Sequence, residues 1–324
     1  MAELRFNPLT KDWVMIASHR QGRPQMPKDW CPFCPGPGKK VPESYEVYKY
    51  DNDFPALSQN PPVPDDVESG IYKTKEAYGK CEVILYSPEH TTTLPELPVT
   101  HIRKLVDLWT DRFEDLSNDE KIKYIFIFEN RGEVVGVTMP HPHGQIYGYS
   151  VIPKKIELEL ASSGKHFEKT GNCLFCDHLS EEQKDGRRIV FENEHFTVFL
   201  PFFTEYPYGV YIMPKRHFAN ISQMSADEKK SFAKTLRETA GMLDSLFDTK
   251  FPYMMCMHNA PVNIDEDVSE SYHFHVEFFP PMRSADKQKF NASSETGVWA
   301  HCNPTAPEEK TIELRAAHEK FINQ

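Results

Sequence analysis

Long apolar runs are missing from this chain. In 324 residues no window approaches 18 uninterrupted apolar positions, so no membrane-spanning helix is expected. Residues 1–13 mix charged and apolar side chains and contain no apolar core of the signal-peptide kind. Neither the glycine fingerprint of a dinucleotide-binding turn nor a Walker-type phosphate loop occurs. The nearest candidate, Gly36, Pro37, Gly38, Lys39 and Lys40, fits neither, which disfavours dehydrogenases and P-loop kinases. Basic residues are in deficit: 37 Lys and Arg stand against 48 Asp and Glu, a formal net charge of −11. A general nucleic-acid binder needs a basic surface and is disfavoured, although a small phosphate-bearing substrate could still be held by a few local cations. Cysteine is scarce and odd in number, with seven, four of them in two Cys-x-x-Cys pairs. Without a secretion signal, such pairs favour metal ligation or reduced thiols over disulfides. What remains is a cytoplasmic globular protein, with 39% apolar residues to build its core.

What is present is an internal echo. Cys31 and Cys34, enclosing Pro32 and Phe33, are matched by Cys173 and Cys176, enclosing Leu174 and Phe175. The apolar run Val83 to Tyr86 leads to His90, as Val210 to Met213 leads to His217. A helical pattern follows each: His101 to Phe113 in one half, Ser225 to Phe247 in the other, the second opened by a Ser225/Glu228 capping box. Each half closes with a strand-like run and a His-x-His, at His141 and His143 and at His273 and His275. The spacings agree roughly, 141 − 90 = 51 against 273 − 217 = 56. The pattern predicts an α+β fold, mainly antiparallel sheet flanked by helices, in which one unit occurs twice. Residues 1–153 form the first half, 154–171 a connector, and 172–324 the second half.

Each cysteine pair has histidines at matching downstream places, a Cys2His2 count that suits tetrahedral zinc. The first set is Cys31, Cys34, His90 and His141, and the second Cys173, Cys176, His217 and His273. Such long spacings would staple distant strands. If the run 141–145 is extended, His141, His143 and Gln145 share a face. With His141 on metal, His143 is left beside an anchored strand, placed for nucleophilic attack on phosphorus. Gly144 would let a phosphate approach the backbone. Gln145 would donate an amide N–H to a phosphoryl oxygen without a proton to transfer.

At these residues the chain resembles the histidine-triad superfamily and, within it, the galactose-1-phosphate uridylyltransferase family. The resemblance rests on the runs 5–10, 18–24, 52–54, 86–90, 129–132, 140–145, 251–253, 258–261 and 283–285, and spans nearly the whole chain. Triad hydrolases carry a third histidine where this chain has Gln145, and the transferases carry glutamine. The resemblance implies ping-pong transfer of a uridylyl group through His143, between UDP-glucose and a hexose 1-phosphate. It implies phosphate contacts from Arg20 and Arg23, nucleoside contacts from Asn52, Asp53 and Phe54, and polar contacts from Asn130 and Thr138. It also implies a homodimer in which Lys289, Phe290 and Glu295 supply hexose contacts across the interface. After Lys289 and Phe290 the match thins.

One implication collides with the cysteine pattern. Well-known members hold iron on a glutamate and three histidines, which map onto Glu159, His258, His273 and His275, but they lack the second Cys-x-x-Cys. Both sets need His273. The thiolate set is the expected one, with two zinc ions per chain and His275 idle. An adenylyltransferase resembling ADP-glucose phosphorylase is the rival activity, and a non-catalytic zinc scaffold a more remote one.

Overall fold

A computed structural model describes residues 2–22 and 30–324. In chain order the strands are β1 (Ala2–Asn7), β2 (Asp12–Ala17), β3 (Tyr48–Asp51), β4 (Thr74–Glu76), β5 (Gly79–Leu85), β6 (Tyr124–Arg131), β7 (His143–Tyr149), β8 (Ile189–Glu192), β9 (Phe196–Phe199), β10 (Tyr211–Pro214), β11 (Tyr253–His258) and β12 (His275–Phe279). The helices are α1 (Val99–Ser117), α2 (Lys154–Thr170), α3 (Leu174–Asp185), α4 (Ala226–Ser245), α5 (Ser293–Val298) and α6 (Pro307–Ile322). No helix among the described residues is long and apolar enough to cross a membrane.

Nine strands form one antiparallel sheet in the order β3-β5-β7-β6-β11-β12-β10-β9-β8, and a small second sheet has the order β2-β1-β4. The halves are joined where β6 pairs with β11, with Phe128 opposite Cys256. Gln145 lies opposite both Phe128 and Val83, and Glu277 lies opposite both Cys256 and Tyr211. These registers are related by a local twofold through the Phe128/Cys256 pair. It makes His275 the counterpart of His143, Val276 of Gly144, Glu277 of Gln145, His258 of Asn130, Tyr211 of Val83 and Pro214 of Tyr86.

One face of the sheet is the core. In α1 the buried positions Ile102, Leu105, Val106, Trp109, Phe113 and Leu116 recur at three- and four-residue steps, so one stripe faces the sheet. They join Ile125, Ile127 and Ile146 from the strands and Phe232, Leu236 and Leu243 from α4 in a single cluster. The α4 N-terminus is closed by Ser225 Oγ, which accepts from the Glu228 amide at 3.2 Å, while Glu228 accepts from the Ser225 amide at 2.7 Å. Arg131 donates to both carboxylate oxygens of Asp244 at 2.8 Å, tying β6 to α4.

On the other face the halves differ. In the second half α2 and α3 lie over the sheet, with Lys155 and Glu159 reaching Glu277 and His258, and Phe175 against His275. The connector read from residues 154–171 is thus a helix of 17 residues that forms part of the cover. In the first half no helix lies there among the described residues, and the face is a cleft.

Candidate active site and metal centres

β7 carries the centre of the cleft. His143, Gln145 and Tyr147 alternate onto one face of that strand, and Phe128 and Asn130 of β6 share it; the Phe128 and Tyr147 rings meet edge-on at 5.1 Å. His143 Nδ1–H donates to the His141 carbonyl at 2.7 Å. A nitrogen that donates to a carbonyl holds the proton, so in the neutral ring the lone pair is on Nε2. Tyr147 donates its hydroxyl to Gln145 Oε1 at 3.2 Å, which turns the amide N–H groups the other way.

A cavity of about 270 Å³ opens beside His143, and Arg20, Asn52, Asp53, Phe54, Asn130, Thr138 and Gln145 line it. His19 positions Arg20 by donating from Nε2 to the Pro55 carbonyl at 3.0 Å. Asn52 Oδ1 accepts from the Phe54 amide at 2.9 Å, closing a tight turn, and Asp53 accepts from Lys40 and Tyr50 at 2.5 and 2.6 Å. Gly136, at φ +84°, takes the left-handed conformation that turns Val137, Thr138 and Met139 into the wall. A larger cavity of about 1130 Å³ shares Asn130, Thr138 and His143 with the first and extends to Lys39, Arg131 and Lys250. His143 therefore stands where two chambers meet.

Sequence reasoning missed the apolar wall, Phe33, Val83, Phe128 and Tyr147. The signal was available: Phe128 and Tyr147 stand two residues from Asn130 and Gln145, on the same strand faces. Lys289, Phe290 and Glu295 line neither cavity. Lys289 packs over the Tyr206 ring at 4.9 Å and lies 3.8 Å from Glu295, while Phe290 is 70% exposed. Arg23 lies outside the described residues. The reason given for Gly144 needs correcting. A Cβ there would lie 2.3 Å from the Tyr86 hydroxyl and 3.0 Å from the Phe128 carbonyl, on the core side of the sheet. Glycine is required by packing beneath the strand.

Both Cys/His sets assemble. Cys31, Cys34, His90 and His141 bring their donor atoms within 4.8 Å of one another, and so do Cys173, Cys176, His217 and His273. Cys34 Sγ is 3.4 Å from His90 Nδ1 and 3.6 Å from His141 Nδ1; Cys176 Sγ is 3.2 Å from His217 Nδ1 and 3.4 Å from His273 Nδ1. Ligands on an ion with bonds of about 2.0–2.3 Å stand roughly 3.3–3.8 Å apart at the vertices of a tetrahedron, so the donor sets fit zinc closely. His141 donates from Nε2 to the Ser87 carbonyl at 2.8 Å and His217 to that of Ser269 at 2.7 Å, leaving each Nδ1 facing the cysteine sulfurs as the nitrogen that could hold a metal. Burial depresses His141 to about 4, keeping it neutral as a ligand must be. Burial and the neighbouring Cys31 push the Cys34 thiol up to about 11, so a cation is needed to hold both sulfurs as thiolates.

The profile of the galactose-1-phosphate uridyl transferase N-terminal domain matches residues 1–153, and that of its C-terminal domain matches residues 159–296. A galactose-1-phosphate uridylyltransferase of Thermotoga maritima is 46% identical over 97% of this chain and 98% of its own length. The chain belongs to the galactose-1-phosphate uridylyltransferase family. The enzyme of that name from Haemophilus influenzae is 32% identical over 90% of this chain and 87% of its own length. A solved uridylyltransferase structure superposes with a TM-score of 0.91 at 31% identity, covering 98% of this chain and 99% of the other. An Arabidopsis thaliana ADP-glucose phosphorylase shares the fold, with a TM-score of 0.73 at 22% identity over 97% of this chain and 99% of its own.

Within this family fold the iron set mapped onto Glu159, His258, His273 and His275 does not assemble as such. His273 faces Cys176, and its place is taken by Glu277, which the sequence reading passed over: Glu159, His258, His275 and Glu277 form a third cluster.

Proposed function

We propose that the chain is a UDP-glucose–hexose-1-phosphate uridylyltransferase acting by ping-pong transfer through His143. The observation that carries this reading is the His143–His141 bond, which presents Nε2 at the junction of the two chambers beside an amide, not a titratable group. The smaller chamber suits the uridine, between the Asn52/Asp53 turn and the apolar wall, and the larger suits the hexose phosphate. Nε2 attacks the α-phosphorus of UDP-glucose and the bond from that phosphorus to the bridging oxygen breaks. The electron pair leaves on the β-phosphate as glucose 1-phosphate. The ring gains positive charge as the N–P bond forms, and the Nδ1–H donated to His141 then strengthens. Gln145 and Arg20 face the charge on the transferring phosphoryl oxygens. A phosphate oxygen of galactose 1-phosphate then attacks the same phosphorus, the N–P bond breaks, and UDP-galactose forms with the imidazole restored neutral. No step needs a proton from position 145, so water gains no general base there.

The test is incubation with UDP-glucose labelled at the α-phosphorus. Without acceptor, one equivalent of glucose 1-phosphate should appear and one label per chain should remain on protein, to be discharged by galactose 1-phosphate. ADP-glucose labelling that is discharged by inorganic phosphate would establish the adenylyl-transfer activity instead. Absence of any labelled protein would leave a zinc scaffold.

We further assign zinc to both Cys2His2 sets, as a staple that fixes the strand bearing His143. Cys31→Ser with Cys34→Ser should lose one zinc and most activity; Cys176→Ser should lose the other and mainly stability. Reading the paired cysteines as thiolate ligands supports a cytoplasmic location, where thiols stay reduced. The partner is a second copy of the chain. Lys289 and Glu295 line neither cavity, and Phe290, Val298 and Trp299, close to them in sequence, are exposed apolar residues suited to a homodimer contact that delivers Lys289 and Glu295 to the neighbour's site. Mixing His143→Gly chains with Lys289→Ala chains should then restore activity, because one composite site carries neither change. No restoration in verified mixed dimers would refute the shared site.

A further inference from the structure

The resemblance to iron-holding relatives makes the third cluster, Glu159, His258, His275 and Glu277, a natural place to expect a metal. Its donor atoms are close enough, but their bonding is of another kind. His258 sits between two carboxylates, with Nδ1 at 3.1 Å from Glu159 Oε2 and Nε2 at 3.2 Å from Glu277 Oε2. An ionised carboxylate only accepts, so each of these nitrogens is an N–H; the ring is an imidazolium and has no lone pair for an ion. Lys155 Nζ reaches in from the rim to the same Glu277 oxygen at 2.5 Å. Tyr272 donates to Glu159 Oε2 at 2.7 Å, and His275 Nε2 faces Glu277 Oε1 at 3.6 Å. Two carboxylates are thus matched by two cations, and the cluster is neutral without an ion. Burial opposes the charge on His258, yet Glu159 and Glu277 hold it up at about 9. Relatives that bind iron here use the histidine which in this chain faces Cys176, so the inference rests on the second thiolate site keeping His273.

We propose that this cluster is a metal-free ion network, in which Lys155 and an imidazolium at His258 replace the charge of a metal and lock α2 across the sheet over His275. The lock is covalently free: α2 contributes Lys155 and Glu159, β11 contributes His258, and β12 contributes His275 and Glu277. Taking away the lysine leaves an uncompensated carboxylate at a nearly buried position, which a cation from solution would then neutralise.

Metal analysis of the full-length protein after exposure to ferrous ion, manganese and zinc tests this. The native chain should hold two zinc equivalents and no third metal. Lys155→Met should melt a few degrees lower, and added ferrous or zinc ion should restore the loss. Lys155→Arg should behave as the native protein. Ring-nitrogen NMR above pH 7 should show two protonated nitrogens on His258. A third metal equivalent in the native chain, abolished by Glu159→Gln with Glu277→Gln, would overturn the proposal, as would a Lys155→Met protein melting like the native one. Should Cys176→Ser lose no zinc, the thiolate assignment falls, whereas the third-equivalent measurement still decides the network.

Discussion

The two halves of the sheet place the same backbone and the same histidine in opposite circumstances. His143 and His275 each donate Nδ1–H to the carbonyl two residues back, at 2.7 and 2.9 Å. Each has the phenylalanine of a Cys-x-Phe-Cys turn beside it, Phe33 at 5.9 Å and Phe175 at 5.0 Å. From there the surroundings diverge. Beside His143 stand the neutral Asn130 and Gln145 and an open cleft. Beside His275 stand His258 and Glu277, with Tyr211 stacked on the ring at 5.8 Å where Val83 leaves space in the first half. His275 is 1% exposed. A strand geometry that can present a nucleophile is therefore not enough. A phosphate also needs neutral or cationic neighbours and an uncovered face, and the second half has given up both for a packed ion network.

The sharpest way to break this comparison is to delete each histidine in turn. His143→Gly should cut uridylyl transfer by a factor on the order of ten thousand or more, with zinc content and fold retained. His275→Ala should leave turnover within about twofold while lowering stability by roughly 2–4 kcal/mol, the cost of a cavity in a filled site. Comparable activity losses in the two variants, measured as kcat on folded protein, would show that the second half takes part in the chemistry.

Gln145→Glu carries the second half's carboxylate into the first. It removes an N–H donor and sets a like charge against the α-phosphate, so transfer should fall by roughly a hundredfold or more. The decrease should be mainly in the rate of protein labelling by UDP-glucose. A variant that labels at the native rate would mean that Gln145 faces away from the phosphate.

A smaller effect separates the core faces. Glu129 is buried on the α1/α4 side, where its counterpart across the twofold is Met257. Burial raises its carboxyl from 4.5 to about 7, against the lowering effect of Arg131 and a hydrogen bond from Tyr253 at 3.2 Å. The folded state therefore keeps a proton that the unfolded chain releases near 4.5. Its contribution favours folding at low pH and is lost as pH rises from about 4.5 to about 7, by roughly 3 kcal/mol at 1.4 kcal/mol per unit. Denaturant unfolding across that window should show a fall in native stability that is absent from Glu129→Gln. Parallel pH profiles for the two proteins would place the proton elsewhere.

Much of this was legible because it repeats. The two cysteine pairs, the histidines after β5 and β10 and the two His-x-His runs fixed the duplicated α+β unit and both donor sets, since metal ligands are few in kind and recur at matched spacing. The Ser225/Glu228 box marked the start of α4 because a cap is a local signal. The cover over the second half was not legible. α2 buries only Ile156 and Ser163 among its 17 residues, and with no side-chain cap at its start to mark it, it passed for a connector. Glu277 was overlooked although it follows His275 as Gln145 follows His143, because its role depends on Lys155 arriving from another element. The competition for His273 could not be settled from spacing either; it depended on which way one ring faces.

The smallest expected effect concerns the residue beneath each strand, and it tests whether the halves diverged as linked pairs. In the first half Gly144 lies over the Tyr86 hydroxyl; in the second, the matched positions are Val276 and Pro214. A β-carbon at 144 meets that hydroxyl at 2.3 Å, and because Tyr86 is 1% exposed and packed against Trp109 it has little room to withdraw. Gly144→Ala should therefore cost about 1–3 kcal/mol as an overpacking strain. Tyr86→Phe alone should be near neutral, since among the described residues the buried hydroxyl has no hydrogen-bond partner to lose, but it should return much of the alanine cost in the double variant. A double-mutant cycle on unfolding free energies measures this as a coupling of roughly 1 kcal/mol or more. Strictly additive effects would mean that the strand moves aside instead, and the displacement should then appear as a loss of transfer activity, because His143 is the next residue.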